Sequence, residues 1–219
     1  MISHSYSKHK AMGNERKLIK KYLASGKHLK VLELGSGYGS FASLCKEFNV
    51  DYTGIDMGQE GIKYCNTQYP QKNFRFIQSE IVSFLKNEEN EYDLIFMSHV
   101  FEHLSVDDNT KVLKLIKKRL KKNGRFINIM PNPHAYFNAL WVSPNCYLAH
   151  QHLYNTKDFS YLLKNAGFKT IKHKNLQVGN NIFERLIHKI TLIIFNILIN
   201  ILGYETQNIY TTAYFSEAY

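Results

Sequence analysis

The chain has 219 residues, of which 44% are hydrophobic and 21% are charged. This length and composition suit a folded domain with a substantial core and exclude general disorder. The formal charge of +10 favours acidic partners, a class that includes phosphates, nucleotide sugars, nucleic acid and anionic membranes.

The N-terminus and the cysteines argue against secretion. The first ten residues, MISHSYSKHK, contain no apolar core of a signal peptide. Cys45, Cys65 and Cys146 lack the spacing of a zinc site or a disulfide framework, so we expect reduced thiols. The most apolar run, residues 190–204, is interrupted by two asparagines and is shorter than the roughly 18 residues of a membrane span. We therefore expect a cytoplasmic protein, with the inner face of the membrane as the alternative location.

Hydrophobic runs and helical patterns alternate from residue 14 to residue 130. The predicted helices cover residues 14–25, 38–48, 58–69, 80–86 and 106–122. The predicted strands cover residues 29–34, 51–56, 74–78, 92–98 and 125–130. Strands that alternate with helices at this spacing are typical of βαβ units, so the sequence predicts a mostly parallel sheet covered by helices.

The regular alternation stops after residue 130. Residues 131–154 contain three of the four prolines, the only tryptophan and three histidines, which indicates an insertion rather than scaffold. Four further elements are predicted beyond it: helices at 156–167 and 182–202, and strands at 168–175 and 209–215. The helix at 182–202 suits either a core helix that covers the sheet or a helix that lies in a membrane interface.

A glycine-rich stretch, VLELGSGYGS at residues 31–40, joins the first strand to the next helix. Glycine at every second position lets the backbone approach a ligand closely, because a Cβ would block either the turn or the ligand. The dinucleotide fingerprint G-x-G-x-x-G needs a third glycine at residue 40, where this chain has serine. The spacing therefore argues against a nicotinamide or flavin cofactor.

A carboxylate ends the second predicted strand. Asp56 follows Glu33 by 23 residues, and a carboxylate at this place can accept two hydrogen bonds from a ribose diol. Its alternative role is to cap the helix that follows. Two later segments, QSEI at 78–81 and YDLIFMSHVFEHL at 92–104, carry polar residues at the ends of predicted strands three and four.

In this order, the motifs resemble those of the class I S-adenosylmethionine-dependent methyltransferases, and H-x-x-E-H-L resembles a small-molecule subgroup of that family. KKNGRFINIMPNP at 121–133 and the segment 152–168 extend the resemblance. It implies a Rossmann-like α/β fold with a mostly parallel seven-stranded sheet, helices on both faces and an insertion after strand five. It also implies S-adenosyl-L-methionine as the cofactor and S-adenosyl-L-homocysteine as the product.

The same resemblance implies a role for each motif. The glycine loop would pass the methionine part of the cofactor, with Glu33 near its amino group and Asp56 on the ribose. Glu80 and Ile81 would meet the adenine, although Glu80 also suits a first-turn acid favoured by the helix dipole. The expected cofactor-binding residues are Glu33, Gly35, Ser36, Gly37, Gly39, Asp56, Met57, Glu80, Ile81 and Ser98.

Methyl transfer to an oxygen also needs a base, and histidine is the commonest base near neutral pH. His152 matches a position in the subgroup's tail, and His99 ends the fourth strand, where open α/β sheets bind their ligands. These two are the candidate catalytic residues. Glu102 beside His103 suits a buried structural pair. Because HVFEH places its glutamate next to the second histidine, unlike the zinc motif H-E-x-x-H, no metal site is predicted.

The acceptor is inferred by analogy with the subgroup and from the insertion. Its aromatic residues suit stacking on sugar or base rings, or a hydrophobic cap; they are Tyr136, Phe137, Trp141 and Tyr147. The predicted reaction is O-methylation of a small polar acceptor such as a sugar, a nucleotide sugar or a surface-polysaccharide precursor. We predict one methyltransferase domain over residues 1–219, with an N-terminal helical cap at 1–27 and an acceptor-side insertion at 131–154.

Two alternatives remain open. One is methylation of a quinone or another lipid-soluble acceptor, with peripheral membrane contact through residues 182–202. The other is a partner subunit that binds the cofactor without catalysis. Nucleic acid is not an expected partner, because SHVF after strand four lacks both the Pro-Pro-aromatic clamp of base-modifying enzymes and a Pro-Cys nucleophile. The oligomeric state is left open.

Overall fold

Helices and strands alternate from residue 14 to residue 131, as the sequence predicts. The structure, a computed structural model, describes residues 14–24, 27–131, 152, 154–176, 190, 193 and 213–219. Its longer helices are α1 (Asn14–Leu23), α2 (Ser40–Cys45), α3 (Gln59–Gln68), α4 (Ile81–Asn87), α5 (Val106–Arg119) and α6 (Thr156–Asn165). Its strands are β1 (Leu29–Leu34), β2 (Val50–Asp56), β3 (Phe74–Gln78), β4 (Tyr92–Ser98), β5 (Leu120–Pro131), β6 (Ile171–Leu176) and β7 (Ala213–Ala218).

The described strands form one seven-stranded sheet in the order β3-β2-β1-β4-β5-β7-β6. β2 pairs in parallel with both β1 and β3, whereas β7 runs antiparallel to both β5 and β6. Strands β1, β2 and β4 are buried along most of their length, as expected for strands covered on both faces. The predicted Rossmann-like α/β fold with a mostly parallel seven-stranded sheet is confirmed.

Among the described helices, α2 and α5 fall furthest short of their predicted lengths. α2 begins at Ser40 rather than at residue 38, because Gly39 has a φ of 79° and cannot continue a right-handed helix. α5 ends at Arg119, so the prediction that it runs to residue 122 is wrong. Gly124 lies inside β5, where a Cβ would be 2.8 Å from the carbonyl oxygen of Tyr92. Asn123 before it has a φ of 69°, and the close approach of the two backbones leaves no room for a side chain at residue 124.

The last elements are shifted along the chain relative to the prediction. α6 ends at Asn165, and the next residues form a turn in which Gly167 has a φ of 92° and the Phe168 N–H donates to the Leu163 carbonyl at 3.1 Å. This C-terminal cap uses residues that the sequence assigned to the strand, so β6 begins only at Ile171. β7 covers Ala213–Ala218 rather than 209–215.

The chain divides into two compact units. The first comprises Met1–Phe96 and Arg119–Gly124, and the second comprises Met97–Lys118 and Arg125–Tyr219. Several predicted features lie largely outside the described residues: the insertion at 131–154, with all four of its aromatic residues, and the helix at 182–202. The single domain over 1–219 and the cap at 1–27 stay predictions. Among the described residues, no helix is long and apolar enough to cross a bilayer.

The core of the first unit is built from aromatic side chains. Tyr52 stacks on Phe74 with ring centroids 5.0 Å apart, which fastens β2 to β3. Phe41 of α2 packs against Phe96 of β4 with centroids 4.1 Å apart. Each of these four side chains is at most 8% exposed. The packed strands therefore form a rigid support for the glycine loop and for Asp56.

The second unit combines an aromatic core with one buried polar row. Phe101, in a 3₁₀ helix over Phe101–His103, packs against Phe159 of α6 with ring centroids 5.1 Å apart. The His173 ring nitrogens lie 2.6 Å from Ser160 Oγ and 2.8 Å from Ser216 Oγ, which connects α6, β6 and β7. Burial lowers the pKa of His173, so a neutral imidazole joins these three elements.

Candidate cofactor and catalytic site

The loop between β1 and α2 adopts a backbone that favours glycine. Gly35, Gly37 and Gly39 have φ values of 85°, 48° and 79°. The N–H groups of Gly35 and Ser36 donate to the Ile55 carbonyl at 2.8 and 2.9 Å, which anchors the start of the loop to β2. The loop therefore follows the carboxyl ends of β1 and β2, the edge at which parallel α/β sheets bind ligands.

Two glycines of this loop differ in what surrounds them. A Cβ built at Gly39 would lie 2.7 Å from the Tyr69 ring and 3.0 Å from the Cys65 sulfur. A Cβ built at Gly37 would meet no atom within 4 Å. Gly39 is therefore required by packing within the protein, whereas Gly37 borders open space in which a ligand can approach the backbone.

Residues on one side of α3, together with the residue just after it, pack against the glycine loop. We call this side the backing face. Gly61, Cys65 and Tyr69 follow each other at four-residue intervals, so they lie along one side of the helix. Gly61 allows close approach, since a Cβ there would be 2.6 Å from the Gly37 oxygen. Cys65 Sγ donates to that same oxygen at 3.5 Å, and the Tyr69 hydroxyl donates to the Gly39 oxygen at 3.0 Å.

Both donors of this backing face stay protonated at neutral pH. Burial raises the pKa of the Cys65 thiol to about 12, and the nearby carboxyl groups of Glu33 and Asp56 add to the rise. Burial also raises the pKa of Tyr69. The two hydrogen bonds to the loop carbonyls therefore persist across the physiological pH range.

Asp56 connects the end of β2 to the glycine loop. Its Oδ2 accepts the Gly37 N–H at 2.8 Å, and its Oδ1 accepts the Gly58 N–H at 2.7 Å. Gly58 occupies the N-cap position of α3, so Asp56 is not the side-chain cap that the alternative interpretation offered. A carboxylate has about four acceptor sites, so Asp56 retains two for further donors.

Glu33 is buried beneath the loop with only 4% of its surface exposed. Its carboxyl accepts a short hydrogen bond from the Tyr52 hydroxyl. Burial raises the pKa of Glu33 well above its ordinary value; the Tyr52 hydrogen bond opposes this rise and the charge of Asp56 adds to it. Tyr52 cannot be recognised as this partner from the sequence pattern, because 19 residues separate it from Glu33.

The two residues expected to meet adenine, Glu80 and Ile81, lie just after β3, and another cofactor-binding candidate, Met57, lies just after β2. Glu80 caps α4, with its two carboxylate oxygens accepting the N–H groups of Val82 and Ser83 at 2.7 and 2.6 Å. Glu80 therefore acts as the N-cap rather than as the first-turn acid of the alternative, and its adenine contact stays a prediction. Ile81 is buried, whereas the Met57 side chain is 70% exposed, which is unusual for a large apolar residue.

In the second unit, His99 has an unusual backbone and an acidic neighbour. Its φ is 53°, and its N–H donates to the Ile129 carbonyl at 2.9 Å. The imidazole is half exposed, and its Nδ1 lies 3.4 Å from Glu102 Oε1. Glu102 is 1% exposed, and neither carboxylate oxygen has a hydrogen-bond partner within the part of the chain that the structure describes. The ion pair shown for Glu102 is with His99; its pairing with His103 stays a prediction.

His152, the other candidate base, lies against the same glutamate through its main chain. Its N–H donates to the Glu102 carbonyl at 3.3 Å, and its ring packs against Tyr154 with centroids 4.4 Å apart. Tyr154 in turn accepts a hydrogen bond from buried Asn109 at 2.8 Å. Ser98, the last residue of β4, is half-buried. Both candidate histidines therefore contact Glu102, but only His99 does so through its side chain.

A family model described as a methyltransferase domain matches residues 8–173, well over half of the chain. This chain belongs to the methyltransferase-domain family. Among solved structures, a SAM-dependent methyltransferase from Archaeoglobus fulgidus covers 93% of both chains with a TM-score of 0.65 and 22% identity. Phosphoethanolamine N-methyltransferase 2 from Haemonchus contortus covers 94% of this chain and 52% of its own, with a TM-score of 0.66 and 18% identity. At identities this low, the similarity to these two structures shows a shared fold only.

Among curated proteins, this methyltransferase-domain chain is similar to a ubiquinone biosynthesis O-methyltransferase of Acinetobacter baylyi. The two are 27% identical over 116 residues, which cover 51% of this chain and 48% of the relative. The chain spans about half the length of the curated relatives it matches.

The structure brings together some of the predicted cofactor-binding residues. Asp56 is hydrogen-bonded to Gly37, and its charge acts on Glu33, so these cofactor-side residues form one group within the first unit. Tyr52 and the backing face of α3 were not predicted from the sequence. The spacing of Gly61, Cys65 and Tyr69 is a signal that a search for helical periodicity behind the glycine loop can detect.

Proposed function

We propose that this protein transfers a methyl group from S-adenosyl-L-methionine to a hydroxyl oxygen of a small polar molecule. The observation that carries the proposal is the group in the first unit, where Asp56 holds the glycine loop and Gly37 borders open space. Family membership supports it, as do structural neighbours that are complexes with S-adenosyl-L-methionine or S-adenosylhomocysteine.

Residues of the first unit fit this cofactor. The space beside Gly37 suits the methionine part, and the remaining acceptor sites of Asp56 suit the ribose hydroxyls. A cationic amino group near Glu33 would favour its charged form, which offsets the effect of burial on that carboxyl. Ser36 adds a hydroxyl oxygen that is buried and has no partner among the described residues. Such a group favours a polar ligand atom.

The exposed Met57 offers a flexible apolar surface for a planar base. Buried Ile81 and the capping carboxylate of Glu80 lie at the end of the neighbouring strand β3. These three residues are proposed to bind the adenine. Ser98 is the cofactor-binding candidate that belongs to the second unit, and its role likewise remains a proposal.

The proposed base is His99, ahead of His152. The bound cofactor supplies an activated methyl group, so the protein has to align the acceptor, exclude water and remove the hydroxyl proton. Nδ1 of His99 faces Glu102, which favours the tautomer with a proton on Nδ1 and leaves Nε2 to accept the acceptor's proton. The buried carboxylate of Glu102, 3.4 Å from that nitrogen, favours the imidazolium that forms.

For the acceptor, we propose a sugar or nucleotide sugar, including precursors of surface polysaccharides. The formal charge of +10 supports an anionic acceptor, since a positive field concentrates phosphate-bearing molecules at the protein surface. A second candidate is a quinone precursor, which the similarity to the Acinetobacter baylyi enzyme favours. Both candidates present a hydroxyl group, so the same base serves either.

The test is turnover by the purified protein with S-adenosyl-L-methionine and a panel of nucleotide sugars and hydroxylated quinone analogues. We expect S-adenosyl-L-homocysteine to accumulate with at least one acceptor. Tight cofactor binding without product from any acceptor would instead indicate a non-catalytic partner subunit. Product from quinone analogues alone would replace the sugar assignment with the second candidate.

The histidine assignment is tested with His99→Asn, because asparagine tolerates a left-handed backbone and lacks the base. We expect kcat to fall about 10²- to 10⁴-fold while cofactor affinity is unchanged, the usual range for loss of a general base. His152→Ala is the comparison. A large fall in kcat with His152→Ala and none with His99→Asn would transfer the role to His152.

A further inference from the structure

A polar groove of about 280 Å³ lies at the amino ends of the strands in the first unit. The glycine loop lies at the opposite, carboxyl ends of these strands. Its wall includes Lys30, the second residue of β1, Arg75, the second residue of β3, and Tyr92, the first residue of β4. Lys72, just before β3, completes this part of the wall. The groove is therefore separate from the proposed cofactor site, although both use the same strands.

Strand register places the charged residues of the groove on one face. Lys30 pairs with Asp51 in the β1–β2 ladder, and Thr53 pairs with Arg75 in the β2–β3 ladder. Paired residues of parallel strands project to the same side, and so do residues two apart on one strand. Lys30, Asp51, Thr53 and Arg75 consequently share one face of the sheet.

The balance of charge in the groove is positive. Lys30, Lys72 and Arg75 supply three cations, and Asp51 is the acid in the wall. Asp51 is already paired with His28, whose Nε2 lies 2.8 Å from Asp51 Oδ2. In the described ranges, no acidic side chain forms a hydrogen bond or ion pair with Lys72 or Arg75. The guanidinium therefore has its full set of donors available.

Beneath the cations the groove has a buried polar lining. Thr53 and Tyr92 are 8% and 4% exposed, and the Tyr92 hydroxyl donates to Glu88 at 2.9 Å. Burial and the Glu88 hydrogen bond raise the pKa of Tyr92, whereas the Thr53 hydroxyl and the positive charge of Arg75 lower it. The exposed Arg75 side chain lines the groove, and its charge is close enough to act on this buried hydroxyl.

We propose that this groove is a second, anion-binding site, which takes the phosphate group of a small phosphorylated molecule. A guanidinium presents paired donors that match phosphate oxygens, and the two lysines add mobile charge around them. The volume is near the lower limit of the roughly 300–1,000 Å³ of typical small-molecule sites, which favours a monophosphate over a dinucleotide. Nothing in this proposal depends on the methyl acceptor, because the site lies at the other edge of the sheet.

The test is titration of the ¹⁵N-labelled protein with inorganic phosphate and, separately, with ribose 5-phosphate, in the presence of S-adenosyl-L-methionine. We expect both ligands to shift the backbone amides of residues 30, 72, 73 and 75. Tighter binding of ribose 5-phosphate would identify a phosphomonoester as the natural class, and equal affinity would identify free phosphate. Shifts confined to the glycine loop would overturn the proposal.

Arg75→Gln and Lys72→Gln are expected to weaken binding of either ligand at least tenfold and to leave S-adenosyl-L-methionine affinity unchanged. Lys63→Gln is the matched control, since Lys63 is an exposed lysine on α3 that does not line the groove. An equal loss in Lys63→Gln would show that overall charge, not the groove, attracts the anion. Loss of cofactor binding alone would bear on the proposed function and not on this site.

Discussion

The two units of this protein carry their candidate functional residues in different ways. In the first, the site is mainly backbone: glycines with positive φ, amide groups held by Asp56, and carbonyls held by α3. In the second, it depends on side chains, with His99 facing the buried Glu102. The difference shows that glycine spacing in a sequence can reveal a backbone site, whereas the choice between two histidines needs the three-dimensional contacts.

The largest expected effect is on stability, and it comes from a substitution in the glycine loop. Gly39→Val combines a left-handed backbone with a clash against Tyr69, so it should lower the free energy of unfolding by about 2–5 kcal/mol. Urea denaturation measures the change. Gly37→Ala is the control, because its Cβ meets open space and it should cost only about 1–2 kcal/mol of backbone strain. Equal losses in both would contradict the contrast between the two glycines.

The second prediction concerns cofactor affinity, which we expect to depend on Asp56 in the first unit. Asp56→Ala should weaken S-adenosyl-L-methionine binding by about 1.5–3 kcal/mol, the scale of hydrogen bonds to a charged group. Calorimetric titration measures the affinity. Asp51→Ala, at the other end of the same strand, should bind like the wild type. Affinity that is unchanged in Asp56→Ala would remove the ribose role and with it the central part of the backbone site.

A third effect concerns the buried acid of the first unit. Because the folded-state pKa of Glu33 is raised, its protonated form contributes stability that is present below the unfolded pKa and is lost as pH rises through the folded value. Relative to Glu33→Gln, the wild type should lose up to about 1.4 kcal/mol per pH unit above about pH 4.3. Unfolding at a series of pH values tests this.

The control for that series is Glu47→Gln. The hydrogen bond from Lys20 holds the pKa of Glu47 below its usual value, so its contribution should be present at higher pH and lost as pH falls. The two variants should thus differ from the wild type with opposite signs of pH dependence. The same sign for both would show that Glu33 is not stabilised in its protonated form.

The smallest effect tests the backing face of α3. Tyr69→Phe removes the hydroxyl that donates to the Gly39 carbonyl, which should weaken cofactor binding by about 0.5–1.5 kcal/mol. Tyr92→Phe loses a comparable hydrogen bond to Glu88 far from the loop and should leave cofactor affinity unchanged. If both variants bound the cofactor equally well, α3 would not position the loop.

The fold and half of the site follow from local sequence signals. Strands β3 and β4 lie where their apolar patterns place them, and the glycines and Asp56 follow strands that can be predicted. The start of β6 is set by the local cap at Gly167, whereas some misplaced boundaries lie where a distant backbone comes close, as at Gly124 against Tyr92. The partner of Glu33 was missed for the same reason, since Tyr52 reaches it only across paired strands. A sequence pattern reveals the periodicity within one segment, but it does not reveal which segments contact each other in the fold.

The left-handed backbone at His99 restricts what can replace this histidine. Most side chains pay about 1–2 kcal/mol for that conformation, and glycine, asparagine and aspartate are the residues that accept it readily. Saturation mutagenesis at residue 99 should therefore give the most stable variants with those three types, none of which retains an imidazole. On the proposal that His99 is the base, the substitutions that this backbone accepts best are ones that remove the proton acceptor.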